Sequence, residues 1–367
     1  MNSPRAYVEI DLTALASNIN KLRSGSSAKF LAVVKANAYG HGLIPIARAA
    51  VGNGADYLGT ALVSEAIAIR DAGINSKILA WLISPGDEIE PALQKNIELS
   101  TGSLEVLKEI ENVGVKLGIT PVIHIEVDTG MSRGGFLDQW EELLKYLPSA
   151  KVKVIGLWSH FARADEPDRP ETKQQIEKFA KYEKELLEIG ITPEFTHLSN
   201  SAGILGFKEA HRSIIRGGIG MYGLSPDYQN LGSENSLGLK PVMKIYGKLA
   251  LVKKVRAGSQ VGYGGIKTLE RDSILGVVAL GYSDGLFRAS QPTVGGNFKG
   301  SFAPLVGRIS MDQCVVDLTD CPPANSGEYI CMLGEEYCMA QDWAQAANTI
   351  NYEIVTRVPP RLPRIIK

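Results

Sequence analysis

The sequence lacks the long apolar run that a membrane span requires, and it lacks an excess of charge of either sign. No apolar stretch approaches the roughly 20 residues that cross a bilayer. The 39 basic and 40 acidic residues give a formal net charge of −1 and form no block of like charge. The N-terminal residues Met1–Arg5 have neither the basic start nor the apolar core of a signal peptide. We therefore expect a soluble cytoplasmic protein that binds neither membranes nor nucleic acids.

Cysteine is scarce and confined to the last part of the chain. The four cysteines are Cys314, Cys321, Cys331 and Cys338. Their spacing matches neither a CxxC pair nor a zinc-binding pattern. We therefore expect free thiols packed in a β-rich region, and no metal site.

From about residue 12 to residue 235, short apolar runs alternate with longer helical patterns. Several runs are continuous, which is typical of strands buried on both faces of a parallel sheet. The predicted strands are Phe30–Val34, Tyr57–Thr60, Ile78–Ile83, Ile97–Ser100, Val122–Val127, Val152–Trp158, Phe195–Leu198 and Ile214–Arg216. Eight strands in strand–helix alternation predict an α/β fold, a (β/α)8 TIM barrel, with a doubly wound sheet as the alternative.

Helix signals lie between these strands. The predicted helices include Leu12–Leu22, Leu43–Val51, Ser64–Asp71, Leu104–Val113 and Thr172–Ile189. Ser103 and Ser64 are the expected N-caps, and Gly73, Gly114 and Gly190 are the expected helix ends.

The pattern changes after about residue 236. Turn residues separate β-like runs at Ile245–Val255, Ile274–Leu280, Ala303–Ile309 and Cys314–Leu318, and one helical pattern follows at Ala340–Asn348. We therefore predict a barrel domain over residues 1–235 and a mainly β domain over residues 236–367. About the first ten residues are candidates for packing with the β domain.

Catalytic groups of such barrels gather at the carboxyl ends of the strands. In chain order, those ends carry Lys35, then Glu126, Asp128 and Arg133, then His160, then His197, Asn200 and Ser201, and finally Arg216–Gly220.

Lys35 is the most informative of these residues, because an unpaired buried ammonium is costly and desolvation lowers its pKa. Such an amine suits attachment of an aldehyde, although an ordinary salt-bridged lysine is the alternative. The Gly-rich run Arg216–Gly220 offers unobstructed backbone amides to a phosphate, with Ser201 placed to add a hydroxyl. Alone, such a run usually marks only a turn. Together, the lysine and the run predict a phosphate-bearing aldehyde cofactor.

These segments resemble the alanine racemase family over essentially the whole chain. The matching segments are Ala32–Gly42, Asp128–Arg133, Ser159–Asp165, Asn200–Ala202, Arg216–Gly223, Val261–Gly265, Gly281–Gly285, Gly307–Asp312 and Asn351–Glu353. The resemblance implies a homodimeric isomerase that uses pyridoxal 5'-phosphate to interconvert L- and D-alanine, supplying D-alanine for peptidoglycan.

The resemblance implies two catalytic bases, Lys35, which carries the cofactor, and Tyr263, contributed by the other subunit. Racemisation removes the α-proton from one face and delivers a proton to the other, and one base would more naturally return the proton to the face it left. Without the family match, Tyr263 reads as a core aromatic of the β domain.

The resemblance assigns further roles. Arg216 faces the pyridine nitrogen, with His160 and His197 orienting the group by hydrogen bonds; a helix-capping or salt-bridging arginine and core histidines are the alternatives. The remaining cofactor-binding residues are Tyr39, Asn200, Ser201, Gly218, Ile219 and Tyr352, the glycine and isoleucine through backbone amides. Arg133 and the Met311 amide meet the substrate carboxylate, Tyr282 lines the entrance, and Tyr352 excludes side chains larger than that of alanine.

Glu126 departs from the family pattern, because many members carry a carbamylated lysine at this position. We expect the Glu126 carboxylate to pair with Arg133 directly; a glutamate facing solvent or another partner is the alternative.

Three other functions are compatible with the sequence: a racemase of serine or another amino acid, a fold-related decarboxylase, or a non-catalytic pyridoxal-phosphate carrier. The carriers consist of a single barrel, so the second domain with Tyr263 argues against that last reading.

Overall fold

A computed structural model describes residues 3–290 and 293–367 of the chain. Its contacts divide the chain into two compact units. One unit comprises the N-terminal residues up to Ala14, Tyr39–Gly42 and Pro241–Lys367, and the other comprises Leu15–Ala38 and Leu43–Lys240. No helix of the described ranges is long and apolar enough to cross a membrane.

The first strand, β1 (Ala6–Ile10), belongs to the β-rich unit, and the next eight strands form the parallel sheet of the other. These strands are β2 (Lys29–Val33), β3 (Tyr57–Thr60), β4 (Lys77–Ala80), β5 (Glu98–Thr101), β6 (Val122–Glu126), β7 (Lys153–Trp158), β8 (Phe195–His197) and β9 (Ile214–Gly217).

The sheet order β8-β7-β6-β5-β4-β3-β2-β9 follows the chain except at its last member. The two edge strands, β8 and β9, are joined by backbone hydrogen bonds: Ser213 N–H donates to Thr196 O over 3.1 Å, and Arg216 N–H donates to Ser199 O over 3.0 Å. The sheet therefore closes, and the predicted (β/α)8 barrel is confirmed.

Strand and helix burial explain why these segments form a barrel. All four residues of β3 and of β5 are buried, as expected for strands covered by helices on one side and by the barrel interior on the other. The helices and 3-10 turns of this unit are Leu12–Arg23, Leu43–Gly52, Val63–Asp71, Ile89–Gln94, Leu104–Leu117, Trp140–Tyr146, Leu147–Ser149, Glu171–Glu188, Ser201–Gly206, Lys208–Ala210, Ile219–Tyr222, Tyr228–Leu231 and Glu234–Leu237.

The helix Leu104–Leu117 shows which cap signals hold. Ser103 Oγ accepts the Val106 N–H, so its predicted N-cap role is confirmed. The predicted end at Gly114 is wrong: the helix continues to Leu117 and ends at Gly118, which has the left-handed φ of 68° that favours glycine. The predicted N-cap at Ser64 is also wrong, because Leu62 occupies that position.

The strands of the β-rich unit after β9 are β10 (Met243–Val255), β11 (Gln260–Val261), β12 (Lys267–Thr268), β13 (Ser273–Val278), β14 (Gly295–Phe298), β15 (Ser301–Pro304), β16 (Cys314–Asp317), β17 (Tyr329–Leu333) and β18 (Arg364–Ile366). The unit is built on one branched sheet with the order β15-β14-β17-β10-β1-β18, to which β13 and β16 add beside β10. Strand β1 pairs antiparallel with β10 and parallel with β18. Its 3-10 turns and helices are Tyr263–Gly265, Tyr282–Asp284, Ala340–Ala347 and Asn351–Thr356.

Two expectations for this unit can be compared with the structure. The run Ala303–Ile309 is a strand only up to Pro304. Beyond it, Leu305 forms an isolated antiparallel bridge with Val316. All four cysteines are free thiols, as expected, and three of them are buried. Across the described ranges, no three His, Cys, Asp or Glu side chains are grouped to hold a metal ion.

Replacing Ser103 tests whether this residue caps the helix Leu104–Leu117. Ser103→Ala is expected to lower the free energy of unfolding by about 1 kcal/mol, because the Val106 N–H loses its acceptor. Ser64→Ala is the matched control and should change that free energy by less than about 0.5 kcal/mol, since Ser64 is exposed inside its helix. Urea unfolding of both variants checks this, and equal losses would contradict the assignment.

Candidate active site

Lys35 lies just beyond β2 at the carboxyl end of the barrel, where the backbone enters a left-handed turn. Residues 36–39 have φ values between 52° and 54° although none of them is glycine. Each such residue costs roughly 1–2 kcal/mol, so the surrounding structure must hold the turn. The Asn37 side chain contributes by accepting the Leu43 N–H over 2.9 Å. Strain of this kind concentrates at functional sites.

The Lys35 amine is half-buried and faces other cations. Burial is the main cause that lowers its pKa, and the guanidinium groups of Arg133 and Arg216 lower it further, against an opposing effect of Glu65. The Lys35 Nζ atom lies 6.0 Å from the centre of the Trp81 ring. This environment increases the fraction of neutral amine, the form that acts as a base or nucleophile.

Arg216 is 4% exposed and surrounded by acceptors. The two hydrogens of its Nη2 atom are shared among three acceptors: Ser159 O at 2.9 Å, Leu198 O at 3.0 Å and His160 Nδ1 at 3.2 Å. Its Nη1 donates to His197 Nδ1 over 3.1 Å. Burial lowers the pKa of Arg216 to about 9, which leaves the guanidinium charged at neutral pH.

Both histidines that the sequence placed here hydrogen-bond to Arg216, and both are neutral. Burial, followed by the charge of Arg216, holds the pKa of His160 and of His197 well below the usual range. A neutral imidazole has one acceptor nitrogen, and in each ring the Nδ1 atom accepts from the guanidinium.

The loops after β8 and β9 meet at Ser201. Its Oγ accepts the Gly218 N–H over 3.0 Å and the Gly220 N–H over 3.1 Å. The Gly218 amide, predicted to bind phosphate, therefore bonds the serine in this structure, while the Ser201 O–H remains able to donate. The Asn200 side chain caps the helix Ser201–Gly206 by accepting the Gly203 N–H over 2.9 Å.

Arg133 lies on a loop that Asp128 organises. Asp128 Oδ1 accepts the backbone N–H groups of residues 130, 131 and 132 over 2.8, 3.0 and 3.2 Å. Arg133 itself is exposed.

Glu126 is the last residue of β6 and does not bond to Arg133 directly. Among the described residues, no hydrogen bond or ion pair joins the two side chains. Burial raises the pKa of Glu126 to about 7, while Arg133 and Arg216 act through space to lower it. The two residues therefore influence each other only through space, and the predicted direct pairing of the described Glu126 and Arg133 side chains is wrong.

Three of the predicted residues lie at the surface of the β-rich unit. Tyr263, Tyr282 and Met311 are 67%, 36% and 55% exposed. The Tyr282 N–H donates to Ser310 O over 3.0 Å, and the Ser283 N–H donates to Met311 O over 2.9 Å, which ties these two loops together. Within the described residues, the Met311 N–H has no hydrogen-bond acceptor.

Tyr39 and Tyr352 also lie together in the β-rich unit, with ring centres 6.4 Å apart. Burial raises the pKa of Tyr39. The backbone beside them is close-packed, because a Cβ at Gly40 would lie 2.2 Å from Val355 O. Arg364 reinforces this contact by donating to Gly40 O over 2.8 Å.

The sequence analysis missed four polar or aromatic residues inside the barrel: Trp81, Trp158, Glu98 and His124. The Trp158 ring stacks on His197 with centres 5.6 Å apart, and Arg216 Cζ lies 5.1 Å from the Trp158 ring. His124 could have been noticed in the sequence, because it is a polar residue in the middle of the predicted strand Val122–Val127, where Glu126 is the other polar residue.

Glu126 provides a pH test of this electrostatic environment. Its pKa in the folded chain, about 7, is above its ordinary value of 4.5, so the folded state binds more protons between these pH values. The group therefore costs no stability below about pH 4.5 and an increasing amount up to about pH 7. Glu126→Gln is expected to raise the free energy of unfolding by up to about 3 kcal/mol at pH 8 and by almost nothing at pH 4.

Urea unfolding at the two pH values measures this difference. Glu188→Gln, at an exposed glutamate, is the control and should show little change at either pH. A Glu126→Gln effect that is equal at both pH values would show that the carboxyl is not destabilised by burial.

Comparison with known proteins agrees with the geometry. Residues 10–226 match the alanine racemase N-terminal domain, and residues 242–366 match the alanine racemase C-terminal domain. The chain is 40% identical over 369 residues to the alanine racemase of Salinispora arenicola, covering 98% of each chain. It is 40% identical over 376 residues to that of Streptomyces coelicolor, covering 98% of this chain and 95% of the relative.

Solved structures are similar over the same extent. Alanine racemase from D-cycloserine-producing Streptomyces lavendulae is 39% identical with a TM-score of 0.96, covering 100% of this chain and 98% of that one. Alanine racemase from Bacillus anthracis with bound L-Ala-P is 32% identical with a TM-score of 0.90, covering 100% and 96%. The resemblance found in the sequence is therefore confirmed, and the chain belongs to the alanine racemase family.

Proposed function

We propose that this protein interconverts L- and D-alanine, using pyridoxal 5'-phosphate bound at Lys35, and that its product supplies peptidoglycan synthesis in a bacterial cytoplasm. The observation that carries the proposal is that a desolvated amine, Lys35, and the buried, hydrogen-bonded guanidinium of Arg216 lie at the same end of one barrel. The relatives named alanine racemase, aligned over nearly the whole chain, support the choice of substrate.

The donor set fits pyridoxal phosphate. Lys35 supplies the primary amine to which the aldehyde attaches, and Arg216 supplies a donor for the pyridine nitrogen. The Ser201 hydroxyl accepts two backbone N–H groups, so its own hydrogen is left to donate to a phosphate oxygen. The residues that complete the set are Tyr39, Asn200, Ile219 and Tyr352. His160 holds Arg216 in place, and Gly218 supports the Ser201 hydroxyl with its amide.

When bound, pyridoxal phosphate supplies an electron-withdrawing ring that stabilises the charge left at the substrate Cα. Lys35 moves the α-proton on one face of the substrate, and Tyr263 moves it on the other. The lowered pKa of the Lys35 amine suits it to accept a proton near neutral pH. Arg216 stays charged and discourages protonation of the ring nitrogen, which limits side reactions.

We place Tyr263 in a second copy of the chain. The Tyr263 side chain is 67% exposed on its own unit, and Met311 beside the Tyr282 loop is 55% exposed. Large exposed side chains on loops in contact, as in the Tyr282 and Met311 loops, are typical of interfaces. A homodimer would bring this surface to the Lys35 site of the partner, so each site would need both copies.

Substrate recognition follows from the charge of the carboxylate and the size of the side chain. Arg133 and the Met311 N–H provide donors for the substrate carboxylate, and Tyr282 lines the entrance. Tyr352 limits the space for the substrate side chain to about that of a methyl group. Excluding one further methylene or hydroxyl by size is worth about 1–3 kcal/mol, so slow turnover of serine is compatible with this site.

The activity itself is the first test. The purified chain with pyridoxal phosphate is expected to convert L-alanine to D-alanine, faster than it converts serine or lysine. Lys35→Ala is expected to lose about a thousandfold or more of kcat, because both the cofactor attachment and one base are removed. Lys184→Ala, at an exposed lysine, is the control.

Chiral chromatography of the product measures these rates. Bound cofactor without racemisation of any amino acid would favour a non-catalytic carrier instead. Faster turnover of serine than of alanine would assign the chain to another racemase.

Subunit exchange tests the trans arrangement of Tyr263. Lys35→Ala and Tyr263→Phe homodimers are each expected to be inactive. After mixing and reassociation, about one quarter of the wild-type activity should return, because half of the dimers are mixed and each has one intact site. A mixture of Lys35→Ala with the Lys35→Ala, Tyr263→Phe double variant is the control. No recovery despite measured subunit exchange contradicts the arrangement.

A further inference from the structure

A chain of hydrogen bonds runs from Arg216 through the barrel interior to the opposite end of the strands. His197 accepts from Arg216 at Nδ1, and its Nε2 lies 3.0 Å from His124 Nδ1. His124 Nε2 lies 3.1 Å from Glu98 Oε2. Both histidine rings are fully buried, and Glu98, at the amino end of β5, is 9% exposed.

The direction of every bond in this chain is determined. A guanidinium only donates, so His197 Nδ1 must accept and the single proton of this neutral ring must lie on Nε2. That Nε2–H donates to His124 Nδ1, which places the His124 proton on Nε2 as well. His124 then donates to the Glu98 carboxylate, which accepts and so ends the chain.

A second set of donors reaches Glu98 from the amino end of the barrel. Lys77 Nζ donates to the Tyr57 hydroxyl over 3.1 Å, and that hydroxyl donates to Glu98 Oε1 over 3.4 Å. Lys77 and Glu98 both line an open surface pocket at these strand ends. Glu98 is therefore the anion on which the donors from both ends of the barrel converge.

The barrel packing holds the two rings in place. A Cβ at Gly156 would lie 1.9 Å from His124 Nδ1, so the glycine is needed to admit the His124 ring. The Trp158 ring lies parallel to His197, with an interplanar angle of 1°, and Trp158 Nε1 donates to Ser100 Oγ over 2.7 Å. Rotation of either ring would break the hydrogen bonds at both of its nitrogens.

We propose that Glu98 and His124 are positioning residues: they accept from the far side of the ring and stabilise the His197 Nε2–H tautomer that Arg216 requires, and they thereby hold the orientation of the Arg216 guanidinium. The inference takes one element from the proposed function, namely that Arg216 binds the cofactor ring. Glu98 has no contact with the reacting atoms and acts through two histidines. Without an acceptor at position 98, the His124 Nε2–H is unsatisfied, and the alternative tautomer of both rings directs an N–H at the guanidinium.

The test compares an acceptor-retaining with an acceptor-removing variant. Glu98→Gln keeps an oxygen that accepts from His124, whereas Glu98→Leu does not. Nitrogen NMR of the full chain with 15N-labelled histidine, measured without and with pyridoxal phosphate, reports the tautomer of His197. Glu88→Gln and Glu88→Leu, at an exposed glutamate, are the matched controls.

The wild type and Glu98→Gln are expected to hold His197 as the Nε2–H tautomer, and Glu98→Leu is expected to lose it. Racemisation kcat should fall about tenfold in Glu98→Leu, with the KM for alanine within about twofold, and Glu98→Gln should restore most of kcat. A wild-type His197 that is protonated on Nδ1 overturns the proposal without any variant. So does an unchanged tautomer in Glu98→Leu. An inactive wild type with the expected tautomer would contradict the proposed function instead.

Discussion

The buried guanidinium of Arg216 is the interaction on which the rest of the site depends. Its removal from water is costly and is offset only if the neighbouring groups supply well-placed acceptors. The structure supplies two backbone carbonyls and two imidazole nitrogens, contributed by the segments after β7 and β8. The segments around β7, β8 and β9 are thereby held in one arrangement, and the charge of Arg216 influences the pKa of Lys35, Glu126 and both histidines.

Lys35 illustrates how local strain and burial act together. The left-handed turn after β2 would be unstable in isolation, because four successive residues without glycine adopt positive φ. Tertiary hydrogen bonds such as that between the Leu43 N–H and Asn37 hold the turn. The amine that precedes the turn is desolvated, and the charges of Arg133 and Arg216 lower its pKa further against Glu65, which prepares it for chemistry near neutral pH. The same tertiary packing therefore holds the backbone turn and desolvates the Lys35 amine.

Much of the fold and part of the site could be predicted from the sequence, because both follow from local patterns. Buried parallel strands appear as continuous apolar runs, and their carboxyl ends share one edge, so Lys35 and Arg216 could be placed at the same end of the barrel. The helix end at Gly118 instead of Gly114 shows the limit of such signals. A glycine within an amphipathic helix and a glycine at its end look alike until tertiary packing decides between them.

What could not be predicted depends on contacts between distant segments. Glu98 and His124 lie on neighbouring strands, but their bond to His197 requires a third strand and the space left by Gly156. The Gly218 amide was expected to be free for phosphate, yet it bonds Ser201 from another loop. Such pairings depend on barrel closure and on side-chain rotamers, which neither periodicity nor residue spacing encodes.

The central claim, proton transfer on both faces by two different residues, is tested most directly by racemising protiated L-alanine in deuterated water. Nuclear magnetic resonance of the first-turnover products measures where deuterium appears. If two bases act, D-alanine should carry deuterium at Cα, because the exchangeable hydrogen of the second base comes from the deuterated solvent. The L-alanine that remains should still be largely protiated. D-alanine that retains the original protium at Cα would mean that a single base returns the proton it removed, and it would contradict the account.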